Sequence, residues 1–241
     1  MTKLFISDLH LQAARPDITE RFHAFLREEA MGAQALYVLG DLFEAWIGDD
    51  DPDPHNLAVQ QAMRELTDAG VAGYFMHGNR DFLIGEAFAE RTGFALLADP
   101  VVHDMYGTPV LLSHGDAWCT DDVEYQAFRR QSRDPTWQRQ VLAMPLEQRR
   151  ALAGRAREES RAAMVDKAED IMDVNAEAVA AAMREAGVTT LVHGHTHRPA
   201  VHEFTLDDQP ATRIVLGDWY EQGTVLRWEP ETGFDYRWRV L

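Results

Sequence analysis

The chain has 241 residues, 46% of them apolar and 26% charged, enough to bury a core and near the upper size for one domain. Forty Asp and Glu against 23 Lys and Arg give a net charge of -17, which opposes loose binding to a phosphate polyanion and argues against a nucleic-acid partner. No stretch reaches the ~20 apolar residues of a membrane span, and the single cysteine, Cys119, allows neither an internal disulfide nor a cysteine-based zinc cage.

The first apolar run, Leu4 to Ile6, closes at once on Asp8 and His10, so no signal peptide is expected and the protein is expected to stay in the cytoplasm. Ile18 to Glu29 has helical spacing, with Phe22, Phe25 and Leu26 on one face, and Ala35 to Leu39 reads as a buried strand. The pair repeats as a helix over Leu57 to Ala69, with Val59, Met63 and Leu66, and a strand over Gly73 to Met76. Further strands are predicted at Val110 to Leu112 and Thr190 to Val192. In the last third, Val201 to Phe204, Arg213 to Leu216, Gly223 to Trp228 and Phe234 to Val240 follow one another through turn-rich links, as antiparallel strands do. The expectation is a single domain over 1–241, built as a mixed sheet or a two-sheet sandwich flanked by helices.

Residues 122–173 interrupt the alternation with a long helical composition and no convincing strand, and are expected to form an inserted helical cap. Arg129, Arg130, Arg133, Arg139, Arg149, Arg150, Arg155, Arg157 and Arg161 outnumber Glu124, Asp134, Glu147, Glu158 and Glu159. This local reversal of charge points to an anionic partner; the alternative is a solvated helix face laced with ion pairs one turn apart. Phe128, Trp137, Leu142, Met144, Leu152, Ile171 and Met172 could line an apolar groove in the cap, or on helical spacing simply form core.

Several predicted strands end directly on metal-ligand residues: Asp8-Leu9-His10, Gly40-Asp41, Gly78-Asn79-Arg80-Asp81, His114-Gly115-Asp116 and Gly194-His195-Thr196-His197. Each alone is an ordinary turn or cap. Together, at the carboxyl ends of strands, they converge on one crevice. His77, His103 and His193 are adequately explained by packing. Asp8, His10, Asp41, Asn79, His114, His195 and His197 offer Asp, His and Asn donors without Cys, which suits manganese, iron or zinc. They are too many for one site and right for two ions sharing a bridging carboxylate. Such a pair, about 3.5–4 Å apart, activates a water and steadies both oxygens of an in-line displacement at phosphorus. Hydrolysis of a phosphoester or phosphoanhydride follows.

These segments resemble the signature of the calcineurin-like metallophosphoesterases. More specifically, Gly40 to Asp51, Gly78 to Leu83, His114-Gly115-Asp116, Cys119 to Asp122 with Tyr125 to Arg129, Ile171 to Asn175, and His193 to His202 resemble the family of UDP-2,3-diacylglucosamine diphosphatases over nearly the whole chain. The resemblance implies an α/β fold, the metallophosphoesterase four-layer αββα sandwich with an inserted helical cap. It implies two Mn2+ ions, the first on Asp8, His10, Asp41 and His197, the second on Asp41, Asn79, His114 and His195, with Asp41 bridging. It further implies cleavage of UDP-2,3-diacylglucosamine to UMP and 2,3-diacylglucosamine 1-phosphate (lipid X) in lipid A biosynthesis, at the cytoplasmic face of the inner membrane as a peripheral protein. No protein partner is implied. Substrate contacts would fall on Asn79, Arg80, Asp122, Ser160, Met164, Lys167 and His195, with Met164 standing where relatives carry a polar residue. Many relatives within the wider superfamily carry a histidine after the Gly-Asn, able to protonate a poor leaving group. Arg80 stands there instead and cannot act as a general acid. The leaving group should then need no proton, as a phosphate leaving an anhydride does not, its second pKa lying near ~6. Attack of a metal-activated water on the α-phosphorus, with Asp41 and Arg80 in catalytic roles, is expected. A dimetal phosphoesterase acting on a soluble nucleotide or nucleotide sugar is the alternative.

Overall fold

Alternation along the strands sorts their side chains onto opposite sheet faces, and that sorting builds the layers. The computed structural model describes residues 2–166, 173–220 and 222–240, with side chains left out at 159–166, 222 and 236–240. β1 (Lys3–Ile6), β2 (Ala35–Leu39), β3 (Ala72–Met76) and β4 (Phe94–Leu97) run parallel. Helices α1 (Pro16–Glu28), α2 (Pro54–Asp68) and α3 (Glu86–Thr92) connect them. Leu4, Ile6, Leu36, Val38 and Phe75 face these helices, meeting Ile18, Phe22, Val59, Met63 and Phe88. The alternate residues Phe5, Tyr37, Leu39 and Met76 face inward.

The second sheet holds β5 (Val101–Met105), β6 (Thr108–Ser113), β7 (Thr190–His193), β8 (Ala200–Leu206) and β9 (Gln209–Val215), in the order β5-β6-β7-β9-β8. Val110, Leu112, Val192 and Ile214 meet the first sheet's inner face. Leu111, Leu191 and Ala211 instead pack on Val179 and Met183 of α7 (Ala176–Ala186). The result is helix, sheet, sheet, helix, the expected four layers.

Two predictions about strands are corrected. β4 and β5 are not among the predicted strands: Phe94–Leu97 is an apolar run of only four residues, and Val101–Met105 has its apolar residues broken by His103 and Asp104. Nor do the last strands form one run. β8 and β9 complete the second sheet, whereas β10 (Gln222–Glu229) and β11 (Gly233–Val240) cross back to extend the first beside β1, in the order β11-β10-β1-β2-β3-β4.

Between β6 and β7 the chain forms α4 (Val123–Ser132), α5 (Pro135–Leu142) and α6 (Leu146–Asp166) before α7. Asp122, Asp134 and Asn175 cap α4, α5 and α7 by accepting from backbone N–H groups of the first turn. Trp137, Val141 and Leu152 pack against the first-sheet core, so part of the apolar set in this segment is core. Phe128 and Leu142 are exposed. Ile171 and Met172 lie outside the described residues. Five of the arginines pair across to acids of the core: Arg129 and Arg133 with Asp116, Arg149 with Asp50, Arg150 with Asp51, and Arg157 with Glu44.

Candidate active site

Strands β1, β2, β3, β6 and β7 all deliver their carboxyl ends to one place, and the turns there are unusually tight. Asp8, His10, Asp41, His195 and His197 all have positive φ, between 50° and 68°, a region that costs a non-glycine residue of order 1 kcal/mol or more. The turns are stitched to one another. Asp8 N–H donates to Gly40 O at 3.1 Å and His10 N–H to Asp41 O at 3.0 Å, while His195 N–H donates to the Asp8 carboxylate at 2.9 Å. Gly78 is required because a Cβ there would collide with the backbone and carboxylate of Asp41. Buried Asp81 locks two turns together, accepting from Gly78 N–H at 2.7 Å and Leu42 N–H at 2.8 Å. Burial, reinforced by Asp41, pushes its pKa up to about 7.

The donor atoms gather in two groups that lie close enough to hold a cation, Asp8 with His10 and His197, and Asp8 with Asp41 and His114. Their tautomers follow from the neighbours. His10 Nδ1 lies 3.1 Å from Glu44 and His197 Nδ1 3.3 Å from Asp218; a carboxylate can only accept, so each Nδ1 carries the proton. The two Nε2 atoms, the nitrogens left for a metal, face each other at 3.2 Å. Likewise His114 Nδ1 donates to Leu39 O at 2.9 Å, which leaves its Nε2 facing Asn79 Oδ1 at 3.0 Å. His195 Nδ1 approaches the same Asn79 oxygen at 2.9 Å. Asp8 Oδ1 is buried, with His197 Nε2 3.4 Å away. Nitrogens and oxygens that converge in this way repel one another unless a proton or a metal cation lies between them, so the residues present fit divalent metal ions. Asp41 turns Oδ2 toward His10 and Oδ1 toward His114, each at 3.8 Å, so its two oxygens face the two halves of the cluster.

The field of these carboxylates is strong. Burial opposes protonation of His197, yet its hydrogen bonds to Asp218 and Asp8 push its pKa up to about 10. Burial likewise opposes protonation of His114, and Asp41 and Asp8 push it up to about 9. A field that holds protons there also holds cations, which displace those protons on binding. His195 goes the other way: burial and the neighbouring His114 bring it down to about 4, so it remains a neutral donor.

The sequence reasoning assigned no role to Glu44, Asp81 or Asp218. Glu44 and Asp81 lie inside motifs it singled out, and the signal was a carboxylate two or three residues beyond a ligand. Asp218 lies outside every motif. Of the predicted substrate residues, Asn79 and His195 sit in the cluster. Arg80 adjoins it, its N–H donating to Asp41 Oδ1 at 2.8 Å and its Nε buried without a partner. Asp122 caps α4 at Tyr125 N–H, and the Tyr125 ring lies 5.4 Å from that of His195. The side chains of Ser160 and Met164, and Lys167 altogether, lie outside the described residues. His77, His103 and His193 lie apart from the two donor groups, bonded to Ile84 O, Tyr37 and Gly194 O respectively.

Comparison with known proteins agrees with this geometry. Residues 1–199 match the calcineurin-like phosphoesterase family. The chain is 56% identical over 234 residues, 94% of both chains, to UDP-2,3-diacylglucosamine hydrolase of Stenotrophomonas maltophilia (strain K279a). It is 56% identical over 226 residues, again 94% of both, to the enzyme of the same name from Cellvibrio japonicus (strain Ueda107). A solved archaeal phosphodiesterase shares the fold, with a TM-score of 0.52 at 14% identity over 100% of both chains. With its ligand-bearing turns, its paired sheets and these relatives, the chain belongs to the calcineurin-like phosphoesterase family.

Proposed function

We propose that this chain is a hydrolase that cleaves the pyrophosphate of UDP-2,3-diacylglucosamine, giving UMP and 2,3-diacylglucosamine 1-phosphate (lipid X) in lipid A biosynthesis. The observation that carries the reading is 56% identity over 94% of both chains to relatives named for hydrolysis of that substrate. The converging nitrogens and oxygens of the cluster support it.

Two Mn2+ ions, one on Asp8, His10, Asp41 and His197 and one on Asp41, Asn79, His114 and His195, would supply charge neutralisation at the pyrophosphate and a nucleophilic water at neutral pH. The remaining chemistry belongs to the side chains. Asp41 faces both halves of the cluster and, through the Arg80 N–H, fixes the root of that residue. The Arg80 guanidinium keeps an unpartnered buried Nε, a donor for the charge that develops on a leaving phosphate. It has no proton to give, which matches a phosphate leaving group; attack is assigned to the α-phosphorus. Asn79, Asp122 and His195, with Ser160, Met164 and Lys167, are assigned to the substrate.

Residues 122–173 serve as a cap within the single domain 1–241. Its arginines pair with acids of the core turns, and Val123, 71% exposed, together with Phe128 and Leu142, offers apolar surface to acyl chains and to the cytoplasmic face of the inner membrane. No helix among the described residues is long and apolar enough to cross a membrane, so the association is peripheral.

The test is phosphorus NMR of UDP-2,3-diacylglucosamine hydrolysis in oxygen-18 water, with manganese present or chelated. Label in UMP, appearing only with metal, is expected. Label in the sugar phosphate would overturn attack at the α-phosphorus. Cleavage of UDP-glucose at an equal rate would replace the lipid substrate with a soluble nucleotide sugar.

A further inference from the structure

Beside His197 lies a cavity of about 660 Å³, within the ~300–1,000 Å³ usual for ligand sites. Among the described residues, none of the substrate contacts named above lines it. Its wall is built from Thr196, His197 and Arg198 after β7, Arg213 of β9, Tyr220 after β9, and Asp173 before α7. The metal cluster therefore has two flanks. His195 faces Tyr125 of α4, whereas His197 faces Asp218 and the cavity. A substrate with unlike halves, cut at the cluster between them, needs a receptor on each flank.

The cavity wall carries an ordered row of polar groups. Asp173 sits between two guanidinium groups, with Arg198 Nη1 3.3 Å from Oδ2 and Arg213 Nη1 3.9 Å from Oδ1. Arg213 is steadied from behind by the buried His193 ring, whose Nδ1 donates to Gly194 O at 2.9 Å, leaving Nε2 to accept from Arg213 Nη1 at 3.3 Å. The row thus reads donor, acceptor, donor. The pairing edge of uracil reads acceptor, donor, acceptor through O2, N3–H and O4, its complement; cytosine replaces the last two by an acceptor and a donor, which would set like groups against Asp173 and one arginine. Thr196 Oγ1, on the same wall, is buried without a partner, and a ribose hydroxyl could bond to it.

We propose that this cavity is the pyrimidine-nucleotide subsite, in which Arg198, Asp173 and Arg213 read the uracil edge while the attached phosphate reaches the cluster past His197. The inference deepens the proposed function and rests on a UDP-linked substrate being cut at that cluster.

Titration calorimetry of the manganese-loaded full chain with UMP and with CMP tests it. UMP should bind about tenfold tighter or more, the worth of one well-matched edge contact. Asp173→Asn should remove that preference, and Arg213→Met should weaken UMP without weakening binding of 2,3-diacylglucosamine 1-phosphate. Equal affinities for UMP and CMP in the unaltered chain would overturn the subsite, and that comparison needs no variant to fold. A preference that survives Asp173→Asn in a variant of unchanged melting temperature would overturn it too. Turnover of UDP-2,3-diacylglucosamine without base preference would remove the subsite and leave the reaction. Base preference lost in Asp173→Asn, without such turnover, would support the subsite and remove the lipid half of the reading.

Discussion

Two carboxylates decide which nitrogen His10 and His197 present. Glu44 is buried, and although burial raises its pKa, His10, Arg80 and Arg157 hold it below the usual value. It stays ionised and keeps the proton on His10 Nδ1. Glu44→Ala should therefore weaken manganese binding by about 10- to 100-fold, the usual effect of losing a group that orients a metal-ligating histidine; electron paramagnetic resonance of free Mn2+ would measure it. Arg80→Ala should act differently. It removes a donor to the transition state, so kcat should fall by about 10²- to 10³-fold while manganese affinity, read by the same resonance titration, stays unchanged. Cys119 illustrates a residue with chemistry it cannot express. Burial, with Asp116 and Asp173 nearby, pushes its thiol up to about 12, so almost no thiolate exists at pH 8. Iodoacetamide should leave it intact in the native protein and alkylate it in urea, as mass spectrometry would report.

At the scale of elements, the ligand turns are set by what precedes and follows them. Parallel strands end level with one another, and the tight positive-φ turns after them point Asp8, Asp41 and His195 inward instead of along the strand. The strain is held by turn-to-turn hydrogen bonds and by the Asp81 clamp. A second clamp fastens α6 to the turn after Ile47. Arg149 is only 4% exposed; its guanidinium donates to Met144 O at 2.9 Å, Ile47 O at 2.7 Å and both Asp50 oxygens at 2.6 and 2.7 Å. Arg149→Met should cost about 1–3 kcal/mol, because two carbonyls lose their donor. Asp50 itself can turn to water, its side chain being 61% exposed. Urea unfolding followed by circular dichroism would measure the loss, and an unchanged midpoint would show the clamp to be idle.

Over the whole molecule, the cluster ties both sheets together, since Asp8, Asp41 and Asn79 come from the first and His114, His195 and His197 from the second. A cation held there binds the folded chain and not the unfolded one. Saturation at about 1,000 times Kd adds about 4 kcal/mol, so chelation should lower the melting temperature in scanning calorimetry, and added manganese should restore it. The charge is distributed to the same end. In a chain of -17, Arg129, Arg133, Arg149, Arg150 and Arg157 on the helices between β6 and α7 meet acids of the core, so these helices are fastened to it electrostatically.

The sequence by itself determined the early strands and helices and the layered α/β class, and singled out the candidate metal-binding residues, because these depend on local patterns: apolar alternation, helical spacing, and Asp, His and Asn placed beside glycine at strand ends. It could not reveal β4, a run of only four residues, or β5, whose apolar residues are broken by His103 and Asp104, nor that β10 and β11 leave β8 and β9 to join the first sheet beside β1, more than two hundred residues away. Glu44, Asp81 and Asp218 were equally beyond it as functional groups. An acid acquires its role from the nitrogen it faces, and only the tertiary structure brings Asp218 to His197 or sets Asp173 between two arginines. Residue type and spacing are properties of the chain, whereas the direction of a lone pair is decided by packing between distant elements.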